Sequence, residues 1–255
     1  MYGNPPGYYY VFGDKINVRS GPDKDSKTVK QLSIGDSVSV VEVTDQQMTL
    51  NGIRYPWVKV EWLENRRKQY GFVWGALLSF HREVFQYEDG EKYELYYGVT
   101  NYVSGDKIIQ GEVRLCKSGK IIDIGGIDLN LWDTDFPVFK MGTYKSTYDQ
   151  LPEYRNIDHI FSLDLTVESC GPSGQIYVLI NKGKLLFSGS ELGSFSGGDF
   201  SEGNYFVFPW DKGGMKDRII EYYSYYSAQY EEHEEVDTCY QVQTYMKVDG
   251  RFIKD

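Results

Sequence analysis

Short strand-like runs separated by turn signals fill the first 80 residues and constrain the fold more than any other feature of the sequence. The clearest turn signal is Asn51-Gly52, which stands between the runs Met48–Leu50 and Ile53–Tyr55. Both central positions of a type I′ turn need a positive φ, which Asn and Gly tolerate best, so this pair predicts a tight hairpin. Five or so short strands in roughly 70 residues can bury a core only by closing into a small barrel. The other runs are Ile16–Val18, Ser37–Val43, Trp57–Trp62 and Gly71–Leu77.

The remainder of the chain also predicts strands rather than helices, because Tyr (23 residues) and Gly (27 residues) favour strands and tight turns. We predict a long antiparallel hairpin over Arg218–Lys247, with a helix over Asp217–Glu232 as the alternative. One or two helical turns are predicted near Ser146–Asn156. The fold class is therefore all-β, with a small N-terminal barrel followed by a mostly antiparallel, sandwich-like sheet. The candidate strands after the barrel are Tyr93–Val99, Lys107–Leu115, Lys120–Ile124, His159–Val167, Ile176–Ile180, Lys184–Phe187, Tyr205–Phe208, Ile219–Tyr226 and Thr238–Val248.

The charge is distributed unevenly and indicates two domains, residues 1–79 and 80–255. The first part carries 10 basic and 8 acidic residues, and the second carries 17 basic and 29 acidic residues. An acidic chain of this kind is a poor ligand for phosphates, so we expect no nucleic-acid partner. No run of about 18 apolar residues is present, so we expect no membrane-spanning helix. The first seven residues, MYGNPPG, show no signal peptide, so either the protein is cytosolic or a leader lies outside this chain.

The three cysteines do not form a recognisable motif. Cys116, Cys170 and Cys239 are too far apart for a CxxC pair, and three buried thiols are the simplest interpretation, with one disulfide and a spare thiol as the alternative. A nucleophilic cysteine needs a neighbouring base and a helix N-terminus, whereas Cys170 is followed by the turn sequence Gly-Pro-Ser-Gly. His233 lies in an acidic run, and His159 precedes the cysteine. We therefore expect a protein that is not an enzyme.

Sites for metals and nucleotides are also weakly indicated. On a strand, Glu231, His233 and Glu235 would share one face and could hold a divalent cation. A solvated acidic hairpin tip explains the same run more simply. Asp133-Thr134-Asp135 does not continue as a calcium loop, and no glycine-rich phosphate loop stands between a strand and a helix. We expect no cofactor and no metal.

Four blocks of the first 80 residues carry a resemblance to a known family. In order and spacing they resemble the bacterial SH3-like (SH3b) domain over residues 8–79. The resemblance implies a β-barrel adaptor domain, of a kind often found in cell-envelope proteins, and some relatives bind cell-wall peptides. The hairpin at Asn51-Gly52 and a polar loop over residues 64–68 depart from the compact family pattern. The four blocks are Ile16–Pro22, Leu32–Val38, Trp57–Val60 and Tyr70–Trp74.

Aromatic residues of the barrel are the candidate ligand-binding residues. Tyr55, Trp57 and Trp74 could line an aromatic groove for a peptide or a sugar. The alternative is that these rings fill the small barrel or its contact with the second domain, as large aromatics often do. The basic run Arg66-Arg67-Lys68 is interpreted as a solvated face, and the tyrosines at 222, 223, 225, 226 and 230 as a half-buried sheet face.

The resemblance to the SH3-like family implies a binding or adaptor protein of the bacterial cell envelope, periplasmic or on the cell surface, with a cytoplasmic location as the alternative. Its expected partner is a cell-wall peptide or a protein. A second hypothesis is an immunity-type inhibitor whose acidic C-terminal domain masks a basic partner. A cell-wall hydrolase has the least support.

Overall fold

The computed structural model describes residues 6–87, 90–103, 108–129, 143–146, 157–166, 173–196, 200–228 and 235–255. Apart from one 3₁₀ turn over Gly75–Leu77, every regular element in these ranges is a β-strand, which confirms the all-β prediction. Among these elements there is no helix with the length and apolar character that a bilayer crossing requires. The chain forms two compact units, residues 1–138 and 139–255.

The first unit contains a seven-stranded antiparallel barrel sheet with the strand order β3-β2-β6-β5-β4-β1-β7. Its valine-rich core includes Val18, Val40, Val58, Val60 and Val73, all at most 1% exposed. The strands are β1 (Gly7–Val11), β2 (Ile16–Arg19), β3 (Thr28–Leu32), β4 (Ser37–Leu50), β5 (Ile53–Glu64), β6 (Arg67–Trp74) and β7 (Leu78–Ser79).

Two tight hairpins shape this barrel. Leu50 pairs with Ile53, and Asn51 and Gly52 have φ values of 51° and 75°, so the predicted type I′ turn is confirmed. The predicted polar loop over residues 64–68 is wrong in extent, because Glu64 pairs directly with Arg67 across a two-residue turn. Both residues of that turn, Asn65 and Arg66, also have a positive φ.

A second, four-stranded sheet of the first unit has the order β11-β10-β9-β8 and packs on the barrel. Phe12, between β1 and β2, lies so close to Gly98 of β9 that a Cβ atom at 98 would be 2.3 Å from its ring. The Arg114 guanidinium lies 4.0 Å from the centre of the same ring and donates to the Phe12 carbonyl oxygen. The predicted boundary after residue 79 therefore falls inside the first unit, between the barrel and this sheet. The strands are β8 (His81–Gln86), β9 (Lys92–Val103), β10 (Ile108–Lys117) and β11 (Lys120–Leu129).

The second unit is an eight-stranded antiparallel sheet in which neighbouring strands follow in chain order, from β12 to β19. Aromatic rings dominate one core cluster, where Phe187 lies 5.2 Å, centre to centre, from both Phe206 and Tyr245. The strands are β12 (Thr143–Ser146), β13 (His159–Thr166), β14 (Ser173–Asn181), β15 (Lys184–Ser196), β16 (Phe200–Val207), β17 (Arg218–Ala228), β18 (Glu235–Val248) and β19 (Arg251–Lys254).

The long hairpin predicted over Arg218–Lys247 is confirmed. β17 and β18 pair from Arg218 with Met246 to Ala228 with Glu235, so the alternative helix is wrong over 218–228. The tip of this hairpin lies outside the described residues, and so do residues 147–156 of the predicted helical turns.

Candidate functional site

The three aromatic residues predicted to line a groove do lie together. Trp57 of β5 is opposite Trp74 of β6, and the Trp74 indole N–H donates to the Tyr55 carbonyl oxygen over 3.0 Å. Both indoles are buried, with 5% and 4% of their surface exposed, and burial raises the pKa of the Tyr55 hydroxyl. They pack with Val99 and Tyr102 of β9. The rings therefore fill the contact between barrel and second sheet, and ligand binding by them remains a prediction.

A separate groove of about 380 Å³ opens on the barrel where β3, β4 and β5 approach one another. One wall is formed by Lys30 and Leu32 of β3. The opposite wall is formed by the turn and first residues of β4 (36–39), with the end of β5 (61–63) and Tyr8 of β1 completing the rim. The groove thus lies entirely on the N-terminal barrel.

The groove exists because two paired strands part before they end. β4 and β5 pair through Val40 with Val60 and Ser39 with Glu61, and this pairing does not extend to Ser37 and Leu63. β5 continues toward its hairpin with β6, while β4 begins at the turn that follows β3. The divergence leaves an open seam in the barrel wall.

Large apolar side chains at the rim of this seam are exposed to solvent. Tyr8 is 85% exposed and Leu63 is 72% exposed. Below them Trp62 is only 8% exposed, and its buried Nε1 has no hydrogen-bond partner among the residues that the structure describes. The Lys30 ammonium lies 5.5 Å from the centre of the Trp62 ring and forms a 2.9 Å ion pair with Glu64. Exposed apolar groups beside a concave, partly polar surface are typical of a site that takes a ligand.

A polar row crosses four strands beside the groove. Cross-strand pairing aligns Tyr8, Ser39, Glu61 and Tyr70, so the four side chains share the outer face of the barrel. Lys68 forms a 2.9 Å ion pair with Glu61, and hydrogen bonds from Lys68 and the Tyr70 hydroxyl lower the pKa of the Glu61 carboxyl. Tyr8, Ser39 and Glu61 of this row also line the groove.

The other candidate residues do not assemble into a site in the described part of the chain. Cys116 is buried, and burial raises the pKa of its thiol to about 12, which keeps it protonated near neutral pH. Cys239 is exposed rather than buried, which corrects the prediction of three buried thiols. Burial lowers the pKa of the His81 imidazole although Glu83 lies 3.7 Å away. Within the described ranges no group of His, Cys, Asp and Glu is arranged to hold a metal ion.

Several predicted positions cannot be placed. Cys170, Asp133 and Asp135 lie outside the described residues, as do Glu231 and His233 of the suggested cation site. His159 of β13 is buried.

Sequence reasoning did not identify the groove residues Tyr8, Lys30, Asp36 and Leu63. Tyr8 has the one available signal, because it belongs to the run Tyr8-Tyr9-Tyr10 in which alternation must expose some rings. The ion pair of Lys30 with Glu64 spans 34 residues and leaves no local pattern.

Comparison with known proteins gives one match. Residues 14–79 match the family model for the bacterial SH3 domain. No curated protein and no solved structure matched the chain. The matched segment contains β2 to β7 and therefore most of the barrel and of the groove walls. Residues 14–79 of this chain are accordingly a bacterial SH3 domain.

Proposed function

We propose that this protein is a non-enzymatic binding and adaptor protein of the bacterial cell envelope, periplasmic or on the cell surface. Its SH3 domain holds a segment of a cell-wall peptide or of a protein in the groove between β3, β4 and β5. The observation that carries the proposal is the pair of apolar side chains, Tyr8 and Leu63, held in water on either side of a concave seam. Covering them with a ligand would remove apolar surface from water, which favours binding.

The described sheet structure also supports binding rather than catalysis. Cys116, the buried thiol, is held protonated by burial and is therefore a poor nucleophile. The bacterial SH3 domain over residues 14–79 supports the envelope location, because domains of this family often occur in cell-envelope proteins.

The immunity-type alternative draws on the acidic surplus of residues 80–255. Some of these acidic side chains accept hydrogen bonds within the second unit. Glu221 accepts hydrogen bonds from Asn204 (2.7 Å) and the Tyr245 hydroxyl (3.0 Å), and Glu202 accepts one from the Tyr223 hydroxyl (2.7 Å). Carboxylates committed in this way contribute less to a steering surface, so we rank the adaptor function above the inhibitor.

The first test is co-sedimentation of the full chain with purified cell-wall sacculi at low and moderate salt. Leu63→Ser removes an exposed leucine from the groove rim. Leu50→Ser removes a leucine that is 47% exposed elsewhere on the same barrel and serves as the matched control. We expect Leu63→Ser to weaken pelleting by about tenfold, the effect of losing roughly one buried leucine contact, and Leu50→Ser to leave it unchanged.

Each part of the proposal has its own contrary outcome. If Leu63→Ser and Leu50→Ser pellet equally, the groove is not the binding surface. If the wild-type chain stays in the supernatant at low salt, the cell-wall ligand is wrong and a protein ligand becomes the working hypothesis. Soluble wall fragments released during the incubation would contradict a non-enzymatic role.

A further inference from the structure

The edge of the barrel beside the groove is an open strand edge. β3 ends the order of the seven-stranded sheet, and within the described residues it pairs with β2 alone. The outer N–H and C=O groups of β3 therefore have no strand partner there. An unpaired edge of this kind can accept an added strand, whose main-chain hydrogen bonds supply affinity.

The strand edge and the groove form one continuous surface. Lys30 and Leu32 of β3 line the groove, and they alternate with Val29 and Gln31, which are both exposed. Across the groove, the absence of β4–β5 pairing at Ser37 leaves room for a further extended segment. A peptide placed along β3 would thus occupy the seam between β3 and β4.

The charges along the groove favour a cationic ligand. Lys30 is neutralised by Glu64, and Glu61 is neutralised by Lys68, each at 2.9 Å. Asp36 lines the groove without an ion pair to any described residue, and only its Oδ2 is engaged, by the Ser33 N–H over 2.8 Å. The one groove carboxylate that lacks a counter-charge is therefore Asp36.

We propose that the ligand is an extended basic peptide segment that pairs with the outer edge of β3 and places a lysine or arginine side chain against Asp36. Side chains of a strand alternate between its two faces, so apolar residues of the peptide would pack against Tyr8 and Leu63. The inference rests on the proposed function and adds the binding mode and the charge of the ligand.

The test measures binding of fluorescently labelled octapeptides to the full chain by anisotropy. One probe alternates lysine and valine, and a second alternates glutamate and valine. A third is the lysine probe with alternate amides N-methylated, which removes the donors along one edge. We expect the lysine probe to bind and the other two to bind at least tenfold more weakly.

Variants assign the charge. Asp36→Asn keeps an oxygen that accepts from the Ser33 N–H and removes the negative charge. It should weaken binding of the lysine probe by about fivefold at low salt. Asp45→Asn makes the same change at an exposed position of β4 outside the groove and should have no effect. The Asp36 effect should shrink at high salt, because exposed charges are screened.

The outcomes separate this inference from the proposed function. Equal binding of the glutamate probe, full binding of the N-methylated probe, or equal effects of the two Asp→Asn changes would overturn the basic, strand-paired ligand. The groove would still stand if Leu63→Ser weakened that binding and Leu50→Ser did not. If none of the probes binds, the inference fails, and the groove is then decided by the pelleting of Leu63→Ser with sacculi. If the lysine probe binds and Leu63→Ser has no effect on that binding, both the inference and the groove fail.

Discussion

Phe12 is the residue whose removal most sharply tests whether the barrel and the second sheet fold as one unit. Its side chain is 3% exposed, the Gly98 backbone lies against its ring, and the Arg114 guanidinium covers it. Phe12→Ala would leave a cavity that the rigid β9 backbone cannot close. Core Phe→Ala changes cost about 3–5 kcal/mol of folding free energy. The loss of the cation–π contact with Arg114 adds to this cost. We therefore expect a loss of about 4 kcal/mol.

The assay is urea unfolding of the full chain, followed by tryptophan fluorescence, to which the barrel contributes three of the five tryptophans of the chain. With a slope of about 2 kcal/mol per M, the transition of the first unit should fall by about 2 M urea. Tyr8→Ala is the control, because Tyr8 is 85% exposed and its removal should change stability by less than about 0.5 kcal/mol. A fall of less than about 0.5 M for Phe12→Ala would refute the shared core.

Three further predictions concern single residues. Gly35→Ala should destabilise the first unit by at least about 2 kcal/mol in thermal unfolding, because φ is +83° and a Cβ atom would lie 2.5 Å from the Tyr96 hydroxyl. Gly119→Ala is the control, because φ is +71° and the space around a Cβ atom at this position is open. This change should cost only about 1 kcal/mol. Trp74→Phe should lower stability by about 1–2 kcal/mol in urea and leave probe binding unchanged, since its indole hydrogen bond is internal. Burial raises the pKa of Glu191 above its unfolded value, so its ionised form disfavours folding at neutral pH. Glu191→Gln should therefore raise the urea midpoint of the second unit at pH 8, and the gain should vanish as pH falls toward 4.5; a gain that persists at pH 4 would contradict this sign.

Local features of the barrel could be predicted because they depend on neighbouring residues. The alternation in Trp57–Trp62 indicates that Val58, Val60 and Trp62 share one face of β5, and in the structure these three side chains are buried together. The alternation alone does not decide which of Trp57 and Trp62 is buried. The Asn51-Gly52 turn followed from the φ values that a type I′ hairpin demands. Periodicity and turn chemistry act over a few residues, so one sequence suffices to recognise them.

The burial of Trp57 could not be predicted in the same way. It lies on the opposite face of β5 from the valine core and is nevertheless 5% exposed, because β9 covers that face. Which sheet packs on a barrel depends on contacts between segments some 40 residues apart. For this reason the sequence did not indicate that Tyr55, Trp57 and Trp74 pack with Val99 and Tyr102 of β9.

The groove escaped prediction because it results from strand divergence. Nothing in the letters around Ser39 or Glu61 indicates that β4 and β5 stop pairing there. The charge state of its walls depends on partners that are distant in sequence, such as Lys30 with Glu64. Six of the eight described strands of the second unit, β13 to β18, were predicted at least in part, and β12 and β19 were not among the candidates. The order of the strands in one eight-stranded sheet depends on long-range pairing.

The most direct test of the central claim is to map the binding surface by NMR, using the ¹⁵N-labelled full chain and the lysine–valine octapeptide. We predict that shift changes concentrate at Tyr8, residues 30–32, 36–39 and 61–63, together with the indole N–H of Trp62 beneath the groove. The indole signals of Trp57 and Trp74 should stay in place. Shifts centred on those two buried indoles, with the groove residues unmoved, would contradict the claim that the seam between β3, β4 and β5 is where this SH3 domain binds.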